Sequence, residues 1–136
     1  MIIQKEIHIT AKARGFHLIT NEVVKALGIL PEKALLNLFL CHSSAGLSIN
    51  ENSDPTVLSD METAFNHLVK ENEAFYTHTI EGSDDMPAHI KSSLTGVSVS
   101  IPIVNHQLAL GTWQGIYLCE FRYRARQRKI IASIYY

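Results

Sequence analysis

Val97-Ser98-Val99-Ser100-Ile101-Pro102-Ile103-Val104-Asn105-His106-Gln107-Leu108-Ala109-Leu110 is the stretch on which the fold turns. Val97, Val99, Ile101 and Ile103 alternate with serines and Pro102, the pattern of a half-buried strand. Asn105-His106 reads as a tight turn into Leu108 and Leu110, so the chain folds back as a hairpin. Pro102 has no amide hydrogen to give and suits an edge strand or a bulge. A hairpin here argues for antiparallel pairing and against the strand–helix alternation of a Rossmann-type sheet.

The same pattern extends outward. Ile3, Lys5, Ile7 and Ile9 alternate over residues 2–10, and residues 11–16 read as a connection. Thr20 can cap a short helix over 21–29, with Val23, Val24 and Leu27 on one face. Residues 34–42 form a nearly continuous apolar run, as in a strand covered on both faces. Ser43-Ser44-Ala45-Gly46 turns the chain, and Leu47 and Ile49 resume the alternation. Asp54 and Pro55 then open the clearest helix, about 55–70, on Val57, Met61, Ala64, Phe65 and Leu68. Ile116 to Tyr123 reads as a strand with Ile116, Leu118, Glu120 and Arg122 on one face, and Lys129 to Tyr135 as the last strand. The prediction is one α+β domain over residues 1–136, a mostly antiparallel sheet of about seven or eight strands with one long helix and two short ones.

Composition narrows the function. The 136 residues suit one core, and 46% hydrophobic with 18% charged content describes a globular chain. A net charge of -1 argues against a general nucleic-acid binder. No apolar run reaches the length of a membrane span, and the charged start Met1-Ile2-Ile3-Gln4-Lys5-Glu6 is unlike a signal peptide. Cys41 and Cys119 each sit in an apolar run, which favours reduced core thiols over a disulfide. A cytoplasmic protein is expected.

The chemistry concentrates in Tyr76-Thr77-His78-Thr79-Ile80-Glu81-Gly82-Ser83-Asp84-Asp85-Met86-Pro87-Ala88-His89-Ile90-Lys91-Ser92-Ser93. Tyr76, His78 and Ile80 alternate as on a strand, Glu81 to Asp85 reads as a loop, and Pro87 suits the first position of a helix. His42, His78 and His89 fall at element ends or beside polar loops, and three imidazoles with one open position make a site for a zinc-type divalent metal. Glu81, Asp85 and Lys91 are the candidate catalytic residues: the acids could orient an imidazole or act as acid and base, and Lys91 and Ser92 lie where helix amides favour phosphate. A plainer reading stays open: the carboxylates cap a helix, Asp84 above all, and the histidines are ordinary polar residues. His8, His17, His67 and His106 are assigned nothing.

Two charges stand out later in the chain. Glu120 follows Ile116 and Leu118 on an apolar face, so it should pair with Arg122, a ligand or a neighbouring chain. Arg122, Arg124, Arg126 and Arg128 recur at every second residue; on a strand continued through all four they would line one face and could bind phosphate, whereas the plainer reading of Arg124 to Arg128 is a solvated turn.

His42-Ser43-Ser44-Ala45-Gly46-Leu47-Ser48-Ile49-Asn50-Glu51-Asn52, the Glu81-to-Ser93 stretch and Leu110-Gly111-Thr112-Trp113-Gln114-Gly115-Ile116-Tyr117-Leu118-Cys119-Glu120-Phe121-Arg122 together resemble the YjbQ family. That uncharacterised protein family has members often labelled secondary thiamine-phosphate synthase. Ser43 stands where the family usually has Thr, and Asn105-His106-Gln107 replaces a turn that is usually glycine-rich. The resemblance implies a compact α+β fold, a homotrimer, and a metal or anion site lined by the motif histidines and acids. It adds the motif residues Ser44, Asn50 and Gln114 to Ser92, Glu120 and Arg122 as candidate ligand contacts.

Three functions compete on this basis. One is a metal-assisted enzyme on a small phosphorylated or pyrophosphorylated molecule, with thiamine-phosphate synthesis as the version the resemblance implies. Another is a non-catalytic trimeric protein that binds a small ligand or metal ion. The third is a structural or partner-binding protein whose polar motifs only maintain the trimer.

Overall fold

A computed structural model describes residues 1–136. The hairpin forms at Asn105–His106: both residues take positive φ, 52° and 64°, and Val104 pairs with Gln107 across them. Two left-handed residues give the turn whose twist matches that of paired strands. Strands β1 (Ile2–Ile9), β2 (Gly15–Leu18), β3 (Lys33–Leu40), β4 (Ala45–Glu51), β5 (Ser98–Val104), β6 (Gln107–Leu108), β7 (Gln114–Glu120) and β8 (Arg128–Tyr135) all pair antiparallel. They form a five-stranded sheet in the order β1-β8-β3-β5-β6 and a three-stranded sheet in the order β2-β7-β4. Helices are α1 (Thr20–Leu27), α2 (Pro55–Leu68) and α3 (Asp85–Thr95). None is long and apolar enough to cross a membrane.

The three-stranded sheet is the middle of three layers. Ile116 and Leu118 of β7 face the large sheet and join the main core with Ile7, Leu36, Leu38, Ile101 and Ile130. Tyr117 and Cys119 face the other way, with Phe16, Phe121 and Ala88, against Leu58, Met61 and Phe65 of α2. This strand is therefore covered on both faces. Burial pushes the Cys119 thiol up to about 12, so it is an inert core group, and no disulfide forms.

Several local expectations change. β3 alternates: Leu36, Leu38 and Leu40 are buried while Leu35 and Phe39 are exposed on the outer face, so one chain covers only one side of it. Within the connection that the sequence predicts over residues 11–16, Gly15 and Phe16 begin β2, which at four residues is too short to show an alternation. Thr20 does not cap α1; its hydroxyl accepts the Ile116 amide hydrogen instead, at 2.9 Å. Asp54 does cap α2, accepting the Thr56 amide at 2.9 Å, and that helix ends at Leu68. Tyr76, His78 and Ile80 alternate without forming a strand: the segment pairs with neither sheet. β7 ends at Glu120, so Arg122 lies beyond it, and Arg128 starts β8 almost wholly buried.

Candidate functional site

Four segments meet at the start of α3. Asp85 is its first residue and is buried; His89 lies one turn on, on the same helix face. Pro87 is third in the helix, still within the first turn whose amides lack helical partners. His78 comes from the irregular segment between α2 and α3. Arg122 comes from the chain leaving β7.

Asp84 makes no side-chain cap. Its Oδ2 instead accepts hydrogen bonds from Arg122 Nε and the Tyr123 amide, each at 2.9 Å. Asp85 Oδ1 accepts from Arg122 Nη1, and Asp85 Oδ2 lies 2.6 Å from His78 Nε2 and 3.1 Å from His89 Nε2. Burial pushes the Asp85 carboxyl up, but the His78 bond and the Arg122 and His89 charges outweigh it and hold it below the ordinary range. Asp84 is depressed likewise: its bonds to the Tyr123 amide and Arg122 overcome burial. Both are carboxylates at neutral pH.

His89 has an acceptor at each ring nitrogen. Nδ1 lies 2.9 Å from the Ser43 carbonyl and Nε2 faces Asp85. A neutral imidazole carries one proton and satisfies only one of them. The ring is therefore an imidazolium, or it donates from Nδ1 to the carbonyl and leaves its Nε2 lone pair for a cation shared with Asp85. An Nδ1–H held by a carbonyl is the usual support of a metal-binding histidine. The ligand atoms of His78, Asp85 and His89 lie within 4.8 Å of one another. Zinc bonds of ~2.0–2.1 Å would set them ~3.3 Å apart, and His78, with 43% of its side chain exposed, has room to adjust. Two imidazoles and a carboxylate suit a zinc-type ion, so the residues fit the group.

His42 stays outside this group. Its Nε2 accepts the Lys129 amide hydrogen at 2.7 Å, which puts the ring proton on Nδ1. Burial and the nearby Arg128 charge hold its pKa below the ordinary histidine value. It lines one cavity together with His89 and another with the arginines described below.

Lys91 is 1% exposed, and its ammonium donates to Asn66 Oδ1 at 2.7 Å. Burial and the Arg14 charge lower its pKa. Arg14 shares that oxygen at 2.6 Å and reaches Glu71 at 2.8 Å, and Glu71 in turn accepts from Ser83. Lys91 thus braces α3 against α2 and the acidic loop. The Ser92 hydroxyl donates to the Ala45 carbonyl at 2.6 Å, tying α3 to β4.

Asn50 and Gln114 lie at the far end of the middle sheet. Glu51 pairs with Gln114 there, whereas Ala45 pairs with Glu120 beside the site, six residues or ~20 Å away. Asn50 accepts the Glu51 amide at the end of β4 and Gln114 accepts the Gly111 amide across the turn before β7, so both side-chain oxygens are spent on local backbone.

Glu120 is fully buried and its oxygens accept from Arg128 Nε and Nη2 at 2.7 and 2.6 Å. The inward placement of Glu120 agrees with the sequence; its partner is Arg128 and not Arg122. Arg128 was therefore misread as part of a solvated turn. A cavity of about 450 Å³ opens beside this pair, lined by Arg122, Arg124, Arg126 and Arg128 with Ser44 and Glu81 among its walls. The signal for it, arginine at every second residue, was visible. What hid it was the early end of β7, which turns Arg122 toward the acids and Arg128 toward Glu120.

The family model described as UPF0047 protein YjbQ-like matches residues 5–136. The UPF0047 protein YjbQ of Salmonella typhimurium is 52% identical over 136 residues, 98% of each chain. The UPF0047 protein YugU of Bacillus subtilis is 42% identical over 76% of each chain. Among solved structures, an uncharacterized conserved protein of the YjbQ/UPF0047 family from Clostridium acetobutylicum superposes with a TM-score of 0.81 at 36% identity, covering 96% of this chain and 98% of that one. On these matches, which run nearly end to end, the chain belongs to the UPF0047 YjbQ-like family.

Proposed function

We propose that this protein is a divalent-metal-assisted enzyme acting on a small phosphorylated or pyrophosphorylated molecule, and that it works as a homotrimer. The observation that carries the reading is His89, whose two ring nitrogens both face acceptors while its Nε2 shares Asp85 Oδ2 with His78. His78, Asp85 and His89 would hold the ion. Zinc bound there would supply positive charge to a departing phosphate or pyrophosphate. Arg122 links this centre to the arginine-lined cavity, since it bonds Asp85 and lines that cavity. Glu81, the one carboxylate on that wall, is the candidate acid or base.

Thiamine-phosphate synthesis is the specific version of the reaction. A thiazole nitrogen would form a carbon–nitrogen bond to the pyrimidine methylene as the carbon–oxygen bond to pyrophosphate breaks. The trimer is supported by the outer face of the large sheet. Leu35 and Ile2 both pair with Tyr135, and all three are exposed, with Phe39 on the same face of β3. A row of this kind favours a protein partner over water.

The test is turnover of the pyrimidine diphosphate and thiazole phosphate by zinc-loaded protein, with pyrophosphate release as the readout. Turnover lost after chelation and in Asp85→Ala supports the enzyme. A zinc-loaded sample inert toward this pair and toward other small phosphate esters would contradict it. The alternative is then a non-catalytic trimeric protein that binds a small ligand or metal. Burial of Lys91, the expected catalytic lysine, favours that alternative.

A further inference from the structure

The connection between β7 and β8 carries three arginines and the first residue of β8 is a fourth, and only two of the four are satisfied within the chain. Arg122 is held by Asp84 and Asp85, and Arg128 by Glu120. Arg124 and Arg126 form no ion pair or side-chain hydrogen bond and remain exposed, yet they line the same cavity of about 450 Å³. Its only apolar wall is Ala125. Asp84, Asp85 and Glu120 carry one charge more than the two guanidiniums they hold, but none of the three lines the cavity and Asp85 turns its other oxygen to His78 and His89. On the cavity wall itself Arg124 and Arg126 are opposed only by Glu81. Two guanidiniums on one short loop repel each other unless an anion lies between them. His42, whose Nε2 accepts the Lys129 amide, is a further residue of the wall.

We infer that this cavity binds the pyrophosphate or phosphate end of the ligand, with Arg124 and Arg126 as the residues that grip it and Arg122 and Arg128 as its rigid floor. A guanidinium presents a planar fork to pairs of oxygens, and arms approaching from separate points on a loop need an anion with several accessible oxygen pairs. Phosphoryl groups have them and a carboxylate has one. The volume lies within the ~300–1,000 Å³ range of small-molecule sites and leaves room beyond a single orthophosphate. The inference rests on the proposed function only for its choice of a phosphorylated ligand; Arg124 and Arg126 make no contact with His78, Asp85 or His89.

The test is calorimetric titration of pyrophosphate, with orthophosphate as a second arm, into chelator-treated protein, which keeps zinc–pyrophosphate complexes out of the readout. Pyrophosphate should bind the wild type and bind more tightly than orthophosphate. Arg124→Gln with Arg126→Gln should weaken it roughly a hundredfold, about tenfold per charge-assisted contact. Zinc affinity and melting temperature of that double variant should not move, since neither residue touches the metal group or the core. Pyrophosphate that fails to bind the wild type, or that binds the double variant equally well, would overturn the inference. Equal affinity for orthophosphate would overturn the choice of the larger ligand. Pyrophosphate binding by protein that takes up no zinc would leave this site standing and remove the metal reading.

Discussion

Arg128 Nε and Nη2 meet the two oxygens of Glu120 at 2.7 and 2.6 Å, where the side chains are 8% and 0% exposed. The pair joins the end of β7 to the start of β8, and Arg128 Nη2 also donates to the Ser44 carbonyl at 3.3 Å. It fixes the wall of the arginine cavity. Glu120→Ala strands a buried guanidinium, and losing one partner of a buried pair costs about 3–5 kcal/mol. Thermal melting should show a large drop in Tm. Arg126→Ala, on the exposed loop, should stay within ~0.5 kcal/mol of wild type. An unchanged Tm in Glu120→Ala would mean that the pair contributes nothing to the fold.

Much of this was legible beforehand, and the reasons differ by element. The hairpin was visible because alternation on Val97 to Ile103 and the Asn105–His106 turn agree. The inward aspect of Glu120 followed from period two with Ile116 and Leu118. Its partner was not legible, because the pairing depends on where β7 stops. Residues 76–80 show the opposite failure: local alternation exists, but a strand is made by pairing and this segment pairs with neither sheet. Asp85 and His89 could have been grouped from their four-residue spacing alone. His42 was grouped with them because nothing in the sequence reveals that its Nε2 is spent on the Lys129 amide.

Acid stability should depend on Glu71. Burial pushes its carboxyl up, but bonds from Arg14, Tyr123 and Ser83 leave it below the ordinary 4.5. A depressed carboxylate binds fewer protons folded than unfolded, so its stabilising effect is complete above pH 4.5 and fades as pH falls through the folded value. Denaturant midpoints measured from pH 7 to pH 3 should fall in the wild type, and less steeply in Glu71→Gln. Equal slopes in the two proteins would remove Glu71 from the acid response.

The outer sheet face gives a test of assembly. Phe39→Asp places a charge among the exposed apolar residues of β3 and β8 without touching the core face. Light scattering should return a trimer mass for the wild type at micromolar concentration and a smaller one for the variant, with the far-UV spectrum unchanged. A monomeric wild type would contradict the trimer, and a trimeric variant would move the interface elsewhere.

The most direct measurement of the central claim is zinc titration into chelator-treated protein carrying no histidine tag. One zinc per chain should bind. His78→Ala, Asp85→Asn and His89→Ala should each weaken it by at least ~tenfold, since each removes or neutralises a ligand. His42→Ala should bind as the wild type does, because that ring faces the Lys129 amide. No saturable uptake of zinc, or uptake that survives His89→Ala and disappears with His42→Ala, would contradict the account.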